Sequence, residues 1–214
     1  MRTFDVARNL FGGDFLGADE LALVSAQIGI KPCLEGQPIP ARYLDAARSA
    51  PGQFLLILGA STMSDGTPLT ICSLRNQFGT DPGVSEPCFY NQDWYISEYF
   101  ARKVQLEDRW YLIRKEVDPT SRGKTLEQWT DQLELGTGLP TAVLCAYVFF
   151  VYYIHSKGIK LWEQDYIWCS DLDHQGDRVY VGRYVDPLHL NKNGFSVHRH
   201  LQIRENHGIS KIIM

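Results

Sequence analysis

The chain has 214 residues and an ordinary globular composition, 44% hydrophobic and 21% charged, with no low-complexity tract. Its net charge of −4 and its pI near 5.8 lack the basic excess that a general nucleic-acid binder needs, which argues against a nucleic-acid partner. From Arg178 onward, however, basic residues outnumber acidic ones. The C-terminal region can therefore form a local surface that attracts anions.

Cysteine usage and hydropathy indicate the cellular compartment of the protein and whether it enters a membrane. Five cysteines are widely separated, and no two have the C-x-x-C spacing of a zinc or redox motif. We expect reduced, mostly buried thiols, no signal region at the N-terminus and a cytoplasmic location. The uncharged stretch from Ala142 to Ile154 is about a dozen residues long, short of the roughly 20 that span a bilayer. It predicts a buried core helix, a soluble protein and no membrane partner.

The first half of the chain predicts three short helices, over Asp5–Leu10, Ala18–Ile28 and Ala41–Ala50. The apolar run Gln53–Gly59 then predicts a buried strand. Thr70–Phe78 shows no clear pattern, and Trp94–Val104 predicts a helix.

In the second half, Arg109–Lys115 alternates as a strand with one buried face does. Thr125–Leu135 predicts an amphipathic helix that begins with a capping pair, Thr125 and Gln128. After Tyr166, short β-like segments are separated by turns. Together these elements predict an α+β fold with a small, twisted, mainly antiparallel sheet built from 109–115 and the segments after 166.

Two regions are expected, 1–105, which is helical with one or two strands and packs on the rest, and 106–214. The predicted core combines residues of the 142–154 helix with three strand residues. It consists of Val143, Leu144, Val148, Phe149, Val151, Trp110, Leu112 and Trp168.

Five of the six histidines lie in the last forty or so residues. His198 and His200 alternate on a predicted strand, so both are expected on one face, with Arg199 on the other. Such a pair can bind Zn²⁺ with a third ligand from His189 or His207. The alternative is an exposed polar strand without metal, and no carboxylate or cysteine completes a known ligand spacing.

The segment Asp171–Asp177 half-resembles a calcium loop, with alternating oxygen ligands and a glycine. The bidentate glutamate six residues after the glycine is missing, because Gly182 occupies that position. A polar hairpin turn explains the same residues. A nucleophile elbow, a P-loop and a dinucleotide fingerprint are all absent from the sequence. We therefore expect no cofactor and no catalytic residues.

The sequence resembles known proteins in two places. Leu139-Pro140-Thr141, an aromatic-rich helix and a Trp-containing strand ending at Ser170 resemble the formylglycine-generating-enzyme (sulfatase-modifying) subclass of the C-type lectin fold. The resemblance covers Arg109–Met214. It implies a C-type-lectin-like domain preceded by short helices, as in the variable proteins of diversity-generating retroelements, which diversify their C-terminal segment.

Departures from that subclass limit what can be carried over. Cys169 is the only cysteine after the aromatic-rich helix, so the paired late cysteines that hold copper in the oxidase have no counterpart. The Glu-Pro-Asn and Trp-Asn-Asp tripeptides of lectins are also absent. Separately, Pro87–Tyr95 and Arg109–Lys115 resemble strings found in uncharacterised proteins of candidate-phylum bacteria, a likeness that implies no activity.

The sequence thus predicts a non-catalytic module that binds a protein or other macromolecule through a polar, diversified C-terminal surface. The alternative is a metal-dependent enzyme that uses the histidine cluster. The predicted contact residues are His189, Asn191, Asn193, His198, Arg199, His200, Arg204, Asn206 and His207.

Overall fold

The computed structural model describes residues 3–32, 37–130, 135–185 and 193–214. The helices are α1 (Thr3–Phe11), α2 (Ala18–Ile28), α3 (Ala41–Ser49), α4 (Ile71–Phe78), α5 (Tyr99–Arg102), α6 (Glu127–Thr130) and α7 (Ala142–His155). The strands are β1 (Phe15–Leu16), β2 (Ile30–Lys31), β3 (Phe54–Leu58), β4 (Thr62–Met63), β5 (Trp110–Arg114), β6 (Thr137–Gly138), β7 (Tyr166–Leu172), β8 (Arg178–Gly182), β9 (Ser196–His198), β10 (His207–Gly208) and β11 (Ile212–Ile213).

These strands form three sheets. The largest has the order β1-β3-β5-β11-β6, a second has the order β10-β7-β8-β9, and β2 pairs with β4. Among the described strands, β1 with β3 and β10 with β7 are parallel, and the other pairs are antiparallel. The mixed α and β architecture confirms the α+β class at this level of detail.

Strand β5 pairs differently from the prediction. Its Leu112 lies opposite Leu56 of β3 on one side and Ile213 of β11 on the other. Residues 110–113 are all buried, so the predicted single buried face is wrong. A strand buried on both faces lies between two packed layers, and β3, its neighbour in the sheet, is fully buried as well. The sheet therefore joins strands on both sides of residue 105, and the two predicted regions share one hydrophobic core.

Helix α7 lies at the centre of that core. The hydroxyl of Thr141 accepts a hydrogen bond from Leu144 N at 3.2 Å and caps the helix. Every residue from Ala142 to Tyr152 is buried, as expected of a helix that is apolar on all sides. The predicted core residues are all buried, which confirms that prediction. In the described parts of the chain, no helix combines the length and apolar character needed to cross a membrane.

Two helices differ in extent between the prediction and the structure. The segment Trp94–Val104 is helical only over α5, and Thr70–Phe78, for which no assignment was possible, forms α4. Of the predicted Thr125–Leu135 helix, the described residues form α6, preceded by Thr125 N donating to Gln128 Oε1 at 2.8 Å.

Candidate functional site

The four-stranded sheet has two chemically different faces. Residues opposite each other in antiparallel strands share a face, so Trp168, Tyr180 and His198 lie together. This aromatic face, as we call it, consists of Tyr166, Trp168, Tyr180, His198 and His207. The other face carries Ile167, Val181 and Val197, which belong to the main core around α7.

His198 is mostly enclosed on the aromatic face. Its ring centroid lies 5.5 Å from that of Tyr166, and the Gln92 amide nitrogen lies 2.9 Å from His198 Nε2. Burial, together with the charges of Arg183 and His207, lowers the pKa of His198 to about 4. The ring is therefore neutral at physiological pH.

The expected shared face of His198 and His200 is not formed. Strand β9 ends at His198, and His200 has φ +61°, so the strand alternation stops between them. Arg199 does point elsewhere, with its guanidinium 4.6 Å from the centroid of the Trp94 ring.

Three contacts hold the irregular segment that follows β9, residues 199–206, on the sheet. Arg199 forms an ion pair with the buried carboxylate of Asp173. His200 Nε2 lies 2.5 Å from Asp177 Oδ2. The backbone N–H of Leu201 donates to Tyr180 Oη at 2.6 Å. This segment, which we call the C-terminal loop, therefore has a defined position although it has no regular secondary structure.

His207, predicted to lie on the contact surface, is instead 2% exposed. Its Nδ1 accepts a hydrogen bond from the backbone N–H of Arg204 at 3.2 Å, so the ring hydrogen is on Nε2. Nε2 is buried and has no hydrogen-bond partner in the described part of the chain. Burial and the charges of Arg183 and Arg204 lower the pKa of His207, which keeps the ring neutral.

A pocket of about 160 Å³ opens between the aromatic face and the C-terminal loop. It is lined by Tyr166, Arg183, Leu201, Gln202, Arg204, Asn206 and His207. Three of these, Arg204, Asn206 and His207, are predicted contact residues. Sequence reasoning did not assign Tyr166 or Arg183 to the site. The period-two spacing of Tyr166 and Trp168, opposite Tyr180, is the signal that marks this face in the sequence.

The remaining predicted contact residues lie elsewhere. Asn193 precedes β9, and its carbonyl oxygen lies 3.7 Å from the sulfur of Cys88. His189 and Asn191 are outside the described residues.

The structure groups different metal-ligand candidates from those predicted. Asp173, Asp177 and His200 each offer one ligand atom within 4.8 Å of the others, whereas His198 and His207 lie on the aromatic face. Asp173 is already engaged, because Arg199 and two backbone N–H groups occupy its oxygens.

The calcium-loop alternative also loses its first ligand. Asp171 is buried and accepts a hydrogen bond from Ala142 N at 2.6 Å, at the start of α7. Asp173 instead accepts from Gln175 N at 2.8 Å and from Asp177 N at 2.9 Å. These are the bonds of a polar turn between β7 and β8, which supports the hairpin interpretation.

A larger cavity, of about 560 Å³, lies beside the two-stranded sheet of β2 and β4 and beside α4. Several of the polar groups around it already have local structural roles. Thr70 and Ser73 cap α4, Asp65 accepts from Thr67 N at 2.9 Å, and Gln77 donates to Gln27 O at 3.3 Å. The smaller pocket is therefore the better candidate for recognition.

Comparison with known protein families, with characterised proteins and with solved structures gives no match.

Proposed function

We propose that this protein is a non-catalytic binding module that contacts a protein ligand through the C-terminal loop and the pocket beneath it. The observation that carries this proposal is the combination of exposed and anchored residues in the loop. Leu201, Gln202 and Arg204 are exposed, while their neighbours are fixed to Asp173, Asp177 and Tyr180. A fixed loop loses little conformational entropy on binding.

We further propose that residues 106–214 form a C-type-lectin-like scaffold for this surface. Thr141 begins α7 and Trp168 lies in β7, the two features on which the resemblance to the C-type lectin subclass depends. They support a C-type-lectin-like arrangement of residues 106–214 with a diversified C-terminus. Sequences of close paralogues test this: variation concentrated between Arg183 and His207 is expected, and variation spread evenly over the chain would contradict it.

Site-specific photo-crosslinking tests the binding function. A benzophenone amino acid at Gln202, in the C-terminal loop, is expected to capture a discrete protein from cells that natively express this chain. Excess unlabelled protein should compete for that adduct. The matched control places the same group at Leu23, which is 80% exposed on α2. Identical adducts from both positions, or adducts that resist competition, would contradict a specific surface at the loop.

A metal-dependent enzyme is the second candidate, because Asp173, Asp177 and His200 lie within ligand distance of one another. Metal analysis of protein purified without a histidine tag separates the two. Stoichiometric zinc that is lost in His200→Ala would favour the enzyme. The binding proposal expects no stoichiometric metal, because Arg199 competes for the Asp173 carboxylate.

A further inference from the structure

We propose that the cavity beside β2, β4 and α4 binds a free α-amino acid in its zwitterionic form. None of the described residues that line this cavity belongs to the C-terminal loop, so the inference goes beyond the proposed binding of a protein ligand. Pockets that enclose a whole small molecule measure about 300–1,000 Å³, and this cavity measures about 560 Å³. It therefore suits a complete small ligand.

The lining of the cavity carries one charge of each sign. Among the described residues that line it, Asp65 has the only carboxylate and Arg102 has the only guanidinium. Both residues are exposed, and neither forms an ion pair in the part of the chain that the structure describes. Asp65 repels an anion and Arg102 repels a cation, whereas a ligand with both charges matches both side chains.

The carboxylate of Asp65 is held in place and keeps one oxygen for a ligand. Its Oδ1 accepts hydrogen bonds from the Thr67 hydroxyl at 2.7 Å and from the Thr67 backbone N–H at 2.9 Å. The hydroxyl first, and then the backbone N–H, lower the pKa of Asp65, so this side chain is negatively charged at neutral pH. Oδ2 accepts no hydrogen bond from the described residues. It is the acceptor for the ammonium group.

Asp65 lies toward the C-terminal end of α4. Ser64, which precedes it, donates from its backbone N–H to Gly29 O at 2.8 Å. Gly29 in turn packs against the side chain of Gln77, so closely that a Cβ on the glycine would lie 2.6 Å from Gln77 Oε1. Since Gln77 is in the last turn of α4, the negative charge is at that end of the cavity.

Arg102 lies toward the opposite end of α4. It ends α5, which packs on α4. Desolvation raises the pKa of the Cys72 thiol, in the first turn of α4, and the charge of Arg102 acts in the opposite direction. Cys72 and Gln77 are separated by roughly 7–8 Å along the helix axis. An α-amino acid whose charged groups are about 3 Å apart, with a hydrogen bond of about 2.8 Å at each end, bridges roughly 9 Å. These spans are similar, so one zwitterion reaches both charges.

Uncharged polar groups on the lining favour a ligand with a polar side chain. Thr70, Ser73 and Gln77 already have structural partners. The Asn76 amide and the Ser64 hydroxyl have no hydrogen-bond partner within the described ranges of the chain. Each offers both a donor and an acceptor. The cavity therefore favours amino acids whose side chains carry an amide or a hydroxyl group over those with apolar side chains.

Titration with L-asparagine, followed by ¹H–¹⁵N NMR, tests the site. Saturable shifts are expected for the Asn76 side-chain amide and for the backbone amides of Ser64 and Asp65. L-Asparaginamide lacks the carboxylate and N-acetyl-L-asparagine lacks the ammonium group, so each should bind at least roughly tenfold more weakly. No saturable shift with L-asparagine, or equal affinities of the three compounds, would overturn the zwitterion site. Tighter binding of L-leucine would overturn the preference for a polar side chain.

Variants locate the two charged contacts. Asp65→Asn keeps an acceptor for Thr67 while it removes the negative charge, and Arg102→Gln removes the positive charge from an exposed residue. Each should weaken L-asparagine binding roughly tenfold or more. Lys103→Gln, which changes the exposed neighbour of Arg102 outside the lining, is the matched control and should bind as the wild type does. Wild-type affinity in either cavity variant would overturn the proposal, and signals outside the cavity report whether each variant is folded.

The modified ligands distinguish direct contacts from indirect effects. N-acetyl-L-asparagine has no ammonium group, so its binding should be weakened by Arg102→Gln but not by Asp65→Asn. L-Asparaginamide should show the reverse pattern. Losses that are the same for all three ligands would overturn the pairing of each side chain with one charged group. Crosslinking at Gln202 does not depend on this cavity, so failure of the amino-acid site would leave the proposed protein-binding function intact.

Discussion

The backbone N–H of Leu201 donates a hydrogen bond to the phenolic oxygen of Tyr180 at 2.6 Å. Tyr180 lies in the middle of β8, opposite His198 of β9, and its ring is buried on the aromatic face. This bond connects a rigid strand to the exposed loop that follows β9. The order of the proposed recognition loop therefore depends in part on one buried phenol.

Tyr180→Phe should loosen the loop while leaving the sheet folded. Loss of one neutral hydrogen bond costs about 0.5–1.5 kcal/mol, so exchange of the Leu201 amide hydrogen should accelerate up to roughly tenfold. Hydrogen exchange followed by NMR measures this. Tyr99→Phe, in which the exposed tyrosine of α5 loses the same hydroxyl, should leave Leu201 exchange unchanged. Unaltered protection of Leu201 in Tyr180→Phe would show that other contacts hold the loop.

Asp173→Asn should destabilise the protein by about 1.5–3 kcal/mol, the range for hydrogen bonds to charged groups. The Asp173 side chain is buried against Arg199, and asparagine would leave that guanidinium without its counter-charge. Urea unfolding measures the loss. Asp177→Asn is the control, because the exposed pair of Asp177 and His200 should contribute less than about 1 kcal/mol. Equal effects of the two substitutions would contradict the structural role of Asp173.

The Asp173 contribution should also persist in mild acid. Desolvation raises the pKa of this carboxyl, but the hydrogen bonds from Arg199 and from the backbone N–H groups of Asp177 and Gln175 lower it to about 2. Stability from a depressed carboxyl pKa is present above the unfolded value and is lost as the pH falls through the folded value. The difference between wild type and Asp173→Asn should therefore remain constant from pH 7 to pH 4.5. A difference that shrinks within that range would place the carboxyl in a different environment.

His198 should make the protein acid-sensitive between pH 6.5 and pH 4. Burial first, and then the charges of Arg183 and His207, lower its pKa from 6.5 to about 4. The unfolded chain therefore binds the proton more readily, and stability falls as the pH falls through this window. At 1.36 kcal/mol per pKa unit, the full effect is roughly 3 kcal/mol.

His198→Gln provides the measurement for that prediction. Denaturant unfolding across pH 4 to pH 7.5 should show a flatter profile for the variant than for the wild type, since glutamine does not titrate. Parallel profiles would show that His198 does not carry the pH dependence.

Leu144→Ala should cost about 2–5 kcal/mol, because it deletes buried volume that neighbouring atoms only partly fill. Leu144 is 1% exposed in the first turn of α7. Leu23→Ala, which makes the same change on the exposed face of α2, should stay within about 0.5 kcal/mol. A loss below about 0.5 kcal/mol for Leu144→Ala in a denaturant melt would mean that α7 is not central to stability.

Several helices could be predicted from the sequence because residues next to their ends in the chain determine where they start and stop. Helix α2 spans Ala18–Ile28 as predicted, and it ends where Gly29 adopts φ +70° and its N–H bonds Ser25 O. The start of α7 was also predictable, because Thr141 caps the helix with its own hydroxyl. The same kind of signal was overlooked for α4, which begins at Thr70 with a reciprocal bond to Ser73 and ends at Gly79.

Pairing partners and side-chain environments depend on contacts between residues distant in the chain. The alternation of Arg109–Lys115 indicates a strand but not its neighbours, and β3 lies more than fifty residues away from it in the sequence. Similarly, His198 and His200 look equivalent in the sequence. They differ because β9 ends at His198, whereas His200 has φ +61° and lies against Asp177 of the preceding hairpin. The burial of His207 likewise requires the parallel pairing of β10 with β7.

The position of β11 has a consequence for folding during synthesis. Ile212 and Ile213 lie between β5 and β6 in the five-stranded sheet, so the sheet cannot close until translation has passed residue 213. Before that, a nascent chain presents the unpaired backbone N–H and C=O groups of β5, whose apolar side chains at Trp110–Ile113 are buried in the finished protein. Unpaired apolar edges are templates for aggregation. The growing chain therefore has a defined interval in which binding of a chaperone to this edge would protect it.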